Sequence, residues 1–158
     1  MAVDMFLKLD GIKGEAQDKT HKEEIDVLAW SWGASQSGTT HMGSGGGSGK
    51  ASFQDLSITK YIDASSFNLL KHVSNGKHIK EATLTIRKAG ENPLEYILLI
   101  MKECLISSIS CGGSGGEDRL TENITINFAE FEYKYTPQNA DGSPGTQVPF
   151  SWNIAQNA

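Results

Sequence analysis

Apolar and polar residues alternate with a period of two along most of the chain, which is typical of half-buried β-strands. The first alternating run lies within residues 5–9. The second runs from about 24 to 32 and places Trp30 and Trp32 on one face, with Ser31 on the other. Further strands are predicted at residues 51–62, 82–87, 94–111, 124–128, 131–135 and 150–154, with β-bulges near 53–56 and 129–130.

One segment has a helical period instead. It follows Asp63 and Ser65, either of which can cap a helix, and it stops at Gly76. Many strands and one short α-helix predict a mainly β fold, in the form of a small β-barrel of two packed sheets, as a single domain over residues 1–158. The predicted apolar stripe of the helix consists of Phe67, Leu70 and Val73, with Leu69 beside it.

A glycine-rich loop interrupts the alternation between Gly33 and Lys50. It holds 7 of the 17 glycines of the chain. A hairpin needs only two to five connecting residues, and loops beyond about 12–15 residues in compact domains are usually functional or disordered. The loop is therefore a phosphate-binding loop, an arm that becomes ordered on a partner, or a flexible connection without a role.

The phosphate-binding interpretation fails on the residues themselves. A P-loop needs Gly five residues before its Gly-Lys pair and Ser or Thr directly after it, but Ser44 and Ala51 occupy those positions. Residues 51–59 favour a strand, whereas phosphate motifs require a helix after the loop. The partner-docking arm and the flexible connection remain.

Charge and composition exclude several partners. The 158 residues carry a net charge of −5 with acids and bases interspersed, so no basic cluster favours nucleic acid. The longest apolar run, residues 96–101, is too short to insert into a membrane. Residues 1–8 lack the apolar core of a secretory signal peptide, so we expect a protein that is made and folded in the cytosol. Cys104 and Cys111 are then expected to be reduced thiols, with an intermolecular disulfide as the alternative.

No constellation of residues predicts an enzyme, a cofactor or a metal site. The four histidines lack metal-ligand spacing and are expected at the surface. The adjacent acids at 23–24 and 117–118 are expected to be solvated. Trp30 and Trp32 could stack on a sugar, but positions in the core or in an interface are favoured.

A series of segments, in order along nearly the whole chain, carries a family resemblance. They are residues 1–8, 25–33, 59–63, 76–78, 84–90, 112–123 and 152–154, together with Gly14, Glu15, Asp18 and His21. These segments resemble the Hcp family, the tube proteins of the bacterial type VI secretion system. Residues 136–149 fit the resemblance least.

The resemblance implies an assembly. Six copies of a small β-barrel would form a ring with a wide lumen, and rings would stack into a tube inside a contractile sheath, capped by a spike protein. The tube would be expelled into a target cell and would carry or stabilise effector proteins in its lumen. The protein would be cytoplasmic before firing and would be secreted without a signal peptide.

Two sets of candidate site residues follow. Glycines let a backbone approach its neighbour closely, so the 33–50 loop is expected to reach the next ring. Ser31, which is small and lies between two anchored tryptophans, is the candidate for effector contact in the lumen, with plain solvent exposure as the alternative. The expected ring-stacking residues are Gly38, Thr39, Thr40, His41, Met42, Gly43, Gly45, Gly46, Gly47 and Lys50.

A competing interpretation is a monomeric ligand- or carbohydrate-binding β-barrel module. The main interpretation expects the chain to bind copies of itself, sheath and spike proteins, and effectors, but neither nucleic acid nor the interior of a membrane.

Overall fold

The computed structural model describes residues 3–37, 50–90 and 93–158. Within these ranges the chain forms eleven strands and one helix, α1 (Ser66–Asn75). The strands are β1 (Val3–Leu9), β2 (Ile25–Asp26), β3 (Ala29–Ser31), β4 (Ala34–Ser35), β5 (Ser52–Phe53), β6 (Leu56–Tyr61), β7 (Ile79–Lys88), β8 (Leu94–Gly112), β9 (Thr121–Asn127), β10 (Glu130–Tyr135) and β11 (Val148–Asn153).

The strand β8 is long enough to belong to two sheets. Its first part, up to Cys104, pairs with β7 on one edge, while residues 97–102 also pair with β10 on the other. Its second part, residues 105–112, pairs with β9. Glu103 lies at the junction with a φ of 54°, which is uncommon for a residue other than glycine. The change of sheet thus coincides with a local break in the extended backbone.

The chain crosses between the sheets a second time, between β2 and β3. The Val27 N–H donates to the Met5 carbonyl at 3.0 Å, and the Leu28 N–H donates to the Thr59 carbonyl at 2.8 Å. The first sheet has the order β2-β1-β7-β8-β10-β11, and the second has the order β8-β9-β6-β3. The predicted mainly β fold with one short helix is confirmed, and the strand path is open rather than a closed barrel.

In both sheets every second residue along a strand is directed inward, and these apolar residues fill the core. Leu7, Leu84 and Leu99 lie in register across β1, β7 and β8, and all three are fully buried. Ile58 and Ile124 oppose each other in the second sheet and are buried as well. The alternation that predicted the strands is therefore the alternation between core and surface.

Three details of the predicted strands are wrong. The strand expected over residues 24–32 is broken at Val27 and Leu28, because the backbone there leaves one sheet and joins the other. The parity changes near 53–56 and 129–130 mark the ends of separate strands rather than bulges within one strand, since β5 and β9 end before β6 and β10 begin.

The helix ends where predicted, but its predicted apolar stripe is wrong. Gly76 terminates α1 with a φ of 67°, and its N–H donates to the His72 carbonyl at 3.0 Å. Leu69 is fully buried, whereas Phe67 is 82% exposed and Leu70 is 52% exposed. The helix packs against β8. Leu69 faces the core, whereas Phe67 and Leu70 of the predicted stripe do not.

A buried ion cluster attaches the start of the helix to the second sheet. The Lys60 side chain is fully buried, and its ammonium group contacts the Glu122 carboxylate, which lies opposite in register, and that of Asp63 at 3.0 Å. The Ser66 hydroxyl, in the first turn of α1, donates to Glu122 at 2.6 Å. Because an unpaired charge is costly to bury, these groups hold the helix on the sheet.

Lys60→Met is expected to lower the free energy of unfolding by about 3–5 kcal/mol, because Glu122 and Asp63 lose their buried counter-charge. Urea titrations at one protein concentration measure this change. Lys134→Met is the matched control, since its ion pair with Glu132 is partly exposed and contributes about 1 kcal/mol or less. Adding Glu122→Gln should recover part of the loss. A Lys60→Met protein as stable as the control would contradict the role of the cluster.

Candidate functional site

The outer face of the second sheet carries rows of uncharged polar side chains. Residues that oppose each other in antiparallel register lie on the same face, so the surface positions of β3, β6, β9 and β8 line up across the sheet. We call this surface the polar face. Its first row is Ser31, Ser57, Thr125 and Ser108. Its second row is Thr59, Asn123 and Ser110, with the small apolar Ala29 at its end.

Hydrogen bonds between neighbouring strands hold several of these side chains. The Thr59 hydroxyl donates to the Asn123 side-chain carbonyl at 2.6 Å. The hydroxyl oxygens of Ser108 and Thr125 lie 2.6 Å apart, and that of Ser107 lies 2.7 Å from Thr125. The polar face is therefore an ordered surface of hydroxyl and amide groups.

Charged side chains lie at the two ends of the polar face. At one end Asp55 accepts hydrogen bonds from the Ser107 hydroxyl at 2.6 Å and from the Asn127 amide at 2.9 Å. At the other end the Arg119 guanidinium lies 3.8 Å from the centre of the Tyr61 ring. The two rows between these ends can form hydrogen bonds but present no fixed charge.

Ser31 lies on the polar face as the alternation predicted. Its side chain is exposed, whereas Trp30 and Trp32 are partly buried and pack against the core. Trp30 opposes the buried Ile58 across the β3–β6 pair. Of the two positions favoured for the tryptophans, core or interface, the structure shows packing against the core. The contact of Ser31 with effectors stays a prediction.

The glycine-rich loop starts from a β-ribbon. β4 and β5 pair with each other apart from the two main sheets, and the Gln54 N–H donates to the Gly33 carbonyl at 2.9 Å. Of the predicted ring-stacking residues, Lys50 is exposed. Those from Gly38 to Gly47 lie outside the described residues, so their role stays a prediction.

An aromatic cluster anchors the ribbon to the core. The Trp32 ring stacks on Phe53 of β5 with 6.4 Å between ring centres. It also meets the Phe131 ring edge-on at 4.9 Å and the Tyr133 ring at 5.8 Å. Both of these residues belong to β10. Apolar packing against β10 thus fixes the position from which the loop departs.

His21 is buried, so its predicted surface position is wrong. Its ring stacks on Phe6 with 4.6 Å between ring centres, and its Nδ1 and Nε2 atoms lie 2.9 Å and 2.7 Å from the Glu24 and Glu95 carboxylates. Glu24, expected to be solvated, has only 13% of its side chain exposed. The spacing of His21 and Glu24 could have indicated their contact, but Glu95 is 74 residues away from His21 and no local pattern predicts it.

An ion pair holds the same connection between β1 and β2. The Arg87 guanidinium contacts the Asp18 carboxylate, donates to Asp4 at 3.4 Å, and lies 5.0 Å from the centre of the Phe6 ring. The hydrogen bond from Arg87 lowers the pKa of Asp18 from 3.8 to about 2, and the same bond raises the pKa of Arg87. Asp18 thus keeps its charge well into the acidic range.

Metal binding and thiol reactivity are two other kinds of chemistry that the described residues bear on. Across residues 3–37, 50–90 and 93–158, no three His, Cys, Asp or Glu side chains are grouped so that they could hold a metal ion. Cys104 is buried, which raises the pKa of its thiol to about 12, while Cys111 is exposed, and both thiols are free. In the same part of the chain, no helix is long and apolar enough to cross a membrane.

Comparisons with known proteins agree on one family. The family model described as "Type VI secretion system effector, Hcp" matches residues 6–135. Protein hcp1 of Pseudomonas aeruginosa is 63% identical over 159 residues, which covers 99% of this chain and 98% of that protein.

Solved structures share the fold over their full length. A structure described as a type six secretion system protein superposes with a TM-score of 0.94 at 31% identity, over 99% of each chain. Hcp1 from Salmonella typhimurium superposes with a TM-score of 0.82 at 34% identity, over 100% of this chain and 99% of that one.

Asp18→Asn is expected to reduce stability most near neutral pH. Because the pKa of Asp18 is lowered in the folded state, its charge stabilises the fold above the unfolded pKa, and this contribution is lost as the pH falls through about 2. Thermal melting of both proteins from about pH 6 to about pH 2 should show their difference in melting temperature shrinking. Asp118→Asn, in an exposed turn, is the control. A difference that does not change with pH would contradict this role of Asp18.

Proposed function

The chain belongs to the Hcp family of the type VI secretion system, and we propose that six copies of it close into a ring and that these rings stack into an expelled tube. In this assembly the polar face lines the lumen and meets effector proteins. A contractile sheath surrounds the tube, and a spike protein caps it.

The observation that carries this proposal is the uncharged chemistry of the polar face. Fixed charges on a surface favour partners of the opposite sign and repel those of the same sign. A surface of hydroxyl and amide groups instead forms many weak hydrogen bonds, with water or with protein. Such a lumen can hold effectors of different net charge and release them. The charged residues Asp55 and Arg119 lie at the ends of this surface, outside its two rows.

The symmetry of a ring decides which surface of each subunit lines its lumen. In a cyclic assembly, each subunit contacts the next through two different surfaces, and the same face of every subunit is directed towards the axis. One polar face per subunit therefore becomes a continuous lining. Ser31 lies on the edge strand β3 of that lining, next to the aromatic cluster that fixes its position.

The glycine-rich loop supplies the contact between rings. Its base is fixed by Trp32 and Phe53, so each subunit presents the loop from the same place. Ordering a loop costs about 1–2 kcal/mol per residue in backbone entropy, which offsets much of what its contacts contribute. One pair of rings should therefore associate weakly, and a tube gains stability as rings add.

This role also implies where the subunit is found before and after secretion. The subunit is cytoplasmic before firing and leaves the cell as part of the tube. It acts as a structural component and carrier rather than as an enzyme.

Ser31→Arg is expected to preserve the ring but to lower effector retention in pull-down assays, because a long cationic side chain then projects from the polar face into the lumen. Ala140→Arg places the same side chain at an exposed position of the 137–145 turn and should retain effectors as the unmodified protein does. Native mass confirms that both variants remain assembled. Equal retention by the two variants would count against a lumenal Ser31.

Deletion of residues 40–48 is expected to leave rings intact and to abolish tubes in electron micrographs, because it removes the inter-ring contact while keeping the β4–β5 base. Native mass measures ring formation and micrographs measure stacking, on the same sample. Tubes that resemble those of the full chain would refute the role of the loop.

A further inference from the structure

The helix α1 exposes the apolar residues that a helix usually buries. Phe67 and Leu70 project from it, and together with Ile62, Ile109 and Cys111 they line a groove of about 320 Å³ at the end of β8. Amphipathic helices normally direct their largest apolar side chains inward, and contiguous exposed apolar patches mark interaction sites. We call this surface the helix groove.

A second apolar patch lies on β11. Val148 is 59% exposed and Phe150 is 56% exposed, and Tyr135, which opposes Val148 on β10, is 45% exposed. β11 pairs with β10 along one edge, and within residues 3–37, 50–90 and 93–158 no strand pairs with its other edge. Proteins protect such open edges from uncontrolled strand pairing, and covering them with a helix is one way of doing so.

The two patches lie at different parts of the subunit. The helix groove is at Ile109 and Cys111 of β8, whereas β10 and β11 pair along residues 97–102 of the same strand. About ten residues of strand separate these positions, which corresponds to roughly 30 Å along the backbone. One subunit therefore cannot cover its own β11 edge with its own helix groove, but a neighbouring copy can.

Charges on the two segments are complementary. Residues 64–80, which include α1, contain three lysines and neither Asp nor Glu. Residues 130–158, which include β10 and β11, contain three acids and one lysine. Of these lysines, Lys71 lies in α1, and Lys77 and Lys80 follow it. This cationic segment and the acidic strand pair would attract each other when two copies meet.

Pro149 indicates whether a strand or a helix is the better partner for the outer edge of β11. Proline has no N–H to donate, and within sheets it occurs on edge strands, where it interrupts the row of donors that another strand would need. The residues on either side of it, Val148 and Phe150, nevertheless expose apolar side chains. An apolar helix surface suits this edge better than an added strand does.

We propose that the helix groove of one subunit receives the β11 edge, at Val148 and Phe150, of the next subunit of the ring. This inference rests on the proposed ring function and specifies the surfaces that close it. The contact is heterologous, with a different surface on each partner, as a closed ring requires.

Cys111 provides a probe inside the groove. Cys104 is buried and its thiol pKa is raised, so a maleimide should label Cys111 first. In the assembled ring Cys111 should react at least about tenfold more slowly than in a dissociated subunit, because the neighbour's β11 covers it. The comparison uses the unmodified protein and the Val148→Glu variant, whose change lies outside the groove, with mass spectrometry to locate the label.

Two variants test the partner surfaces. Phe67→Glu and Val148→Glu should each convert the ring into folded single subunits, as judged by native mass together with circular dichroism. Asn68→Glu adds the same charge to the same helix outside the groove and should retain the ring. Loss of rings in both variants and retention in the control would support the interface.

The outcomes separate this inference from the proposed function. An unmodified protein that is monomeric would refute the ring itself. Two results would refute this interface without refuting the ring. One is a ring in which Cys111 is labelled as fast as in single subunits. The other is a ring that still forms in both the Phe67→Glu and the Val148→Glu variants. In that case the helix groove would face another partner, such as a sheath protein.

Discussion

The sharing of β8 between two sheets is the constraint on which the rest of the structure depends. Its first part pairs with β7 and β10, its second part pairs with β9, and the break at Glu103 lies between them. Because the side-chain period of a strand is two, this register decides which residues of each sheet face the core. A slip of one residue would move the hydroxyl groups of the polar face into the core.

The polar surfaces and the apolar ones follow from this arrangement. The inner side of the second sheet holds the Lys60–Glu122 pair, which ties α1 to the sheet. With its start held there, the helix inserts Leu69 into the core and leaves Phe67 outside. At the far side of β10, β11 ends the first sheet, and no other described strand pairs with its outer edge. Each subunit thus carries an uncharged polar face and two separate apolar surfaces, which the proposed ring uses as its lining and its contacts.

Local patterns predicted the strands well and the contacts between distant segments poorly. The two-residue period located β1, β7, β8 and the outward direction of Ser31, because core and surface alternate along each strand. His21 contacts Phe6 and the distant Glu95, and exposure of Phe67 depends on how the helix is attached to the sheet. Both are set by tertiary packing, which cannot be predicted from the period of a single helix or strand. The polar rows were missed because they become visible only when the register of four strands is known.

The most direct test of the central claim is a reconstruction of the purified full-length protein by single-particle electron microscopy. The account predicts a ring of six subunits in which the row Ser31, Ser57, Thr125 and Ser108 faces the lumen. Single subunits, or a ring in which that row faces outward or lies between subunits, would contradict it.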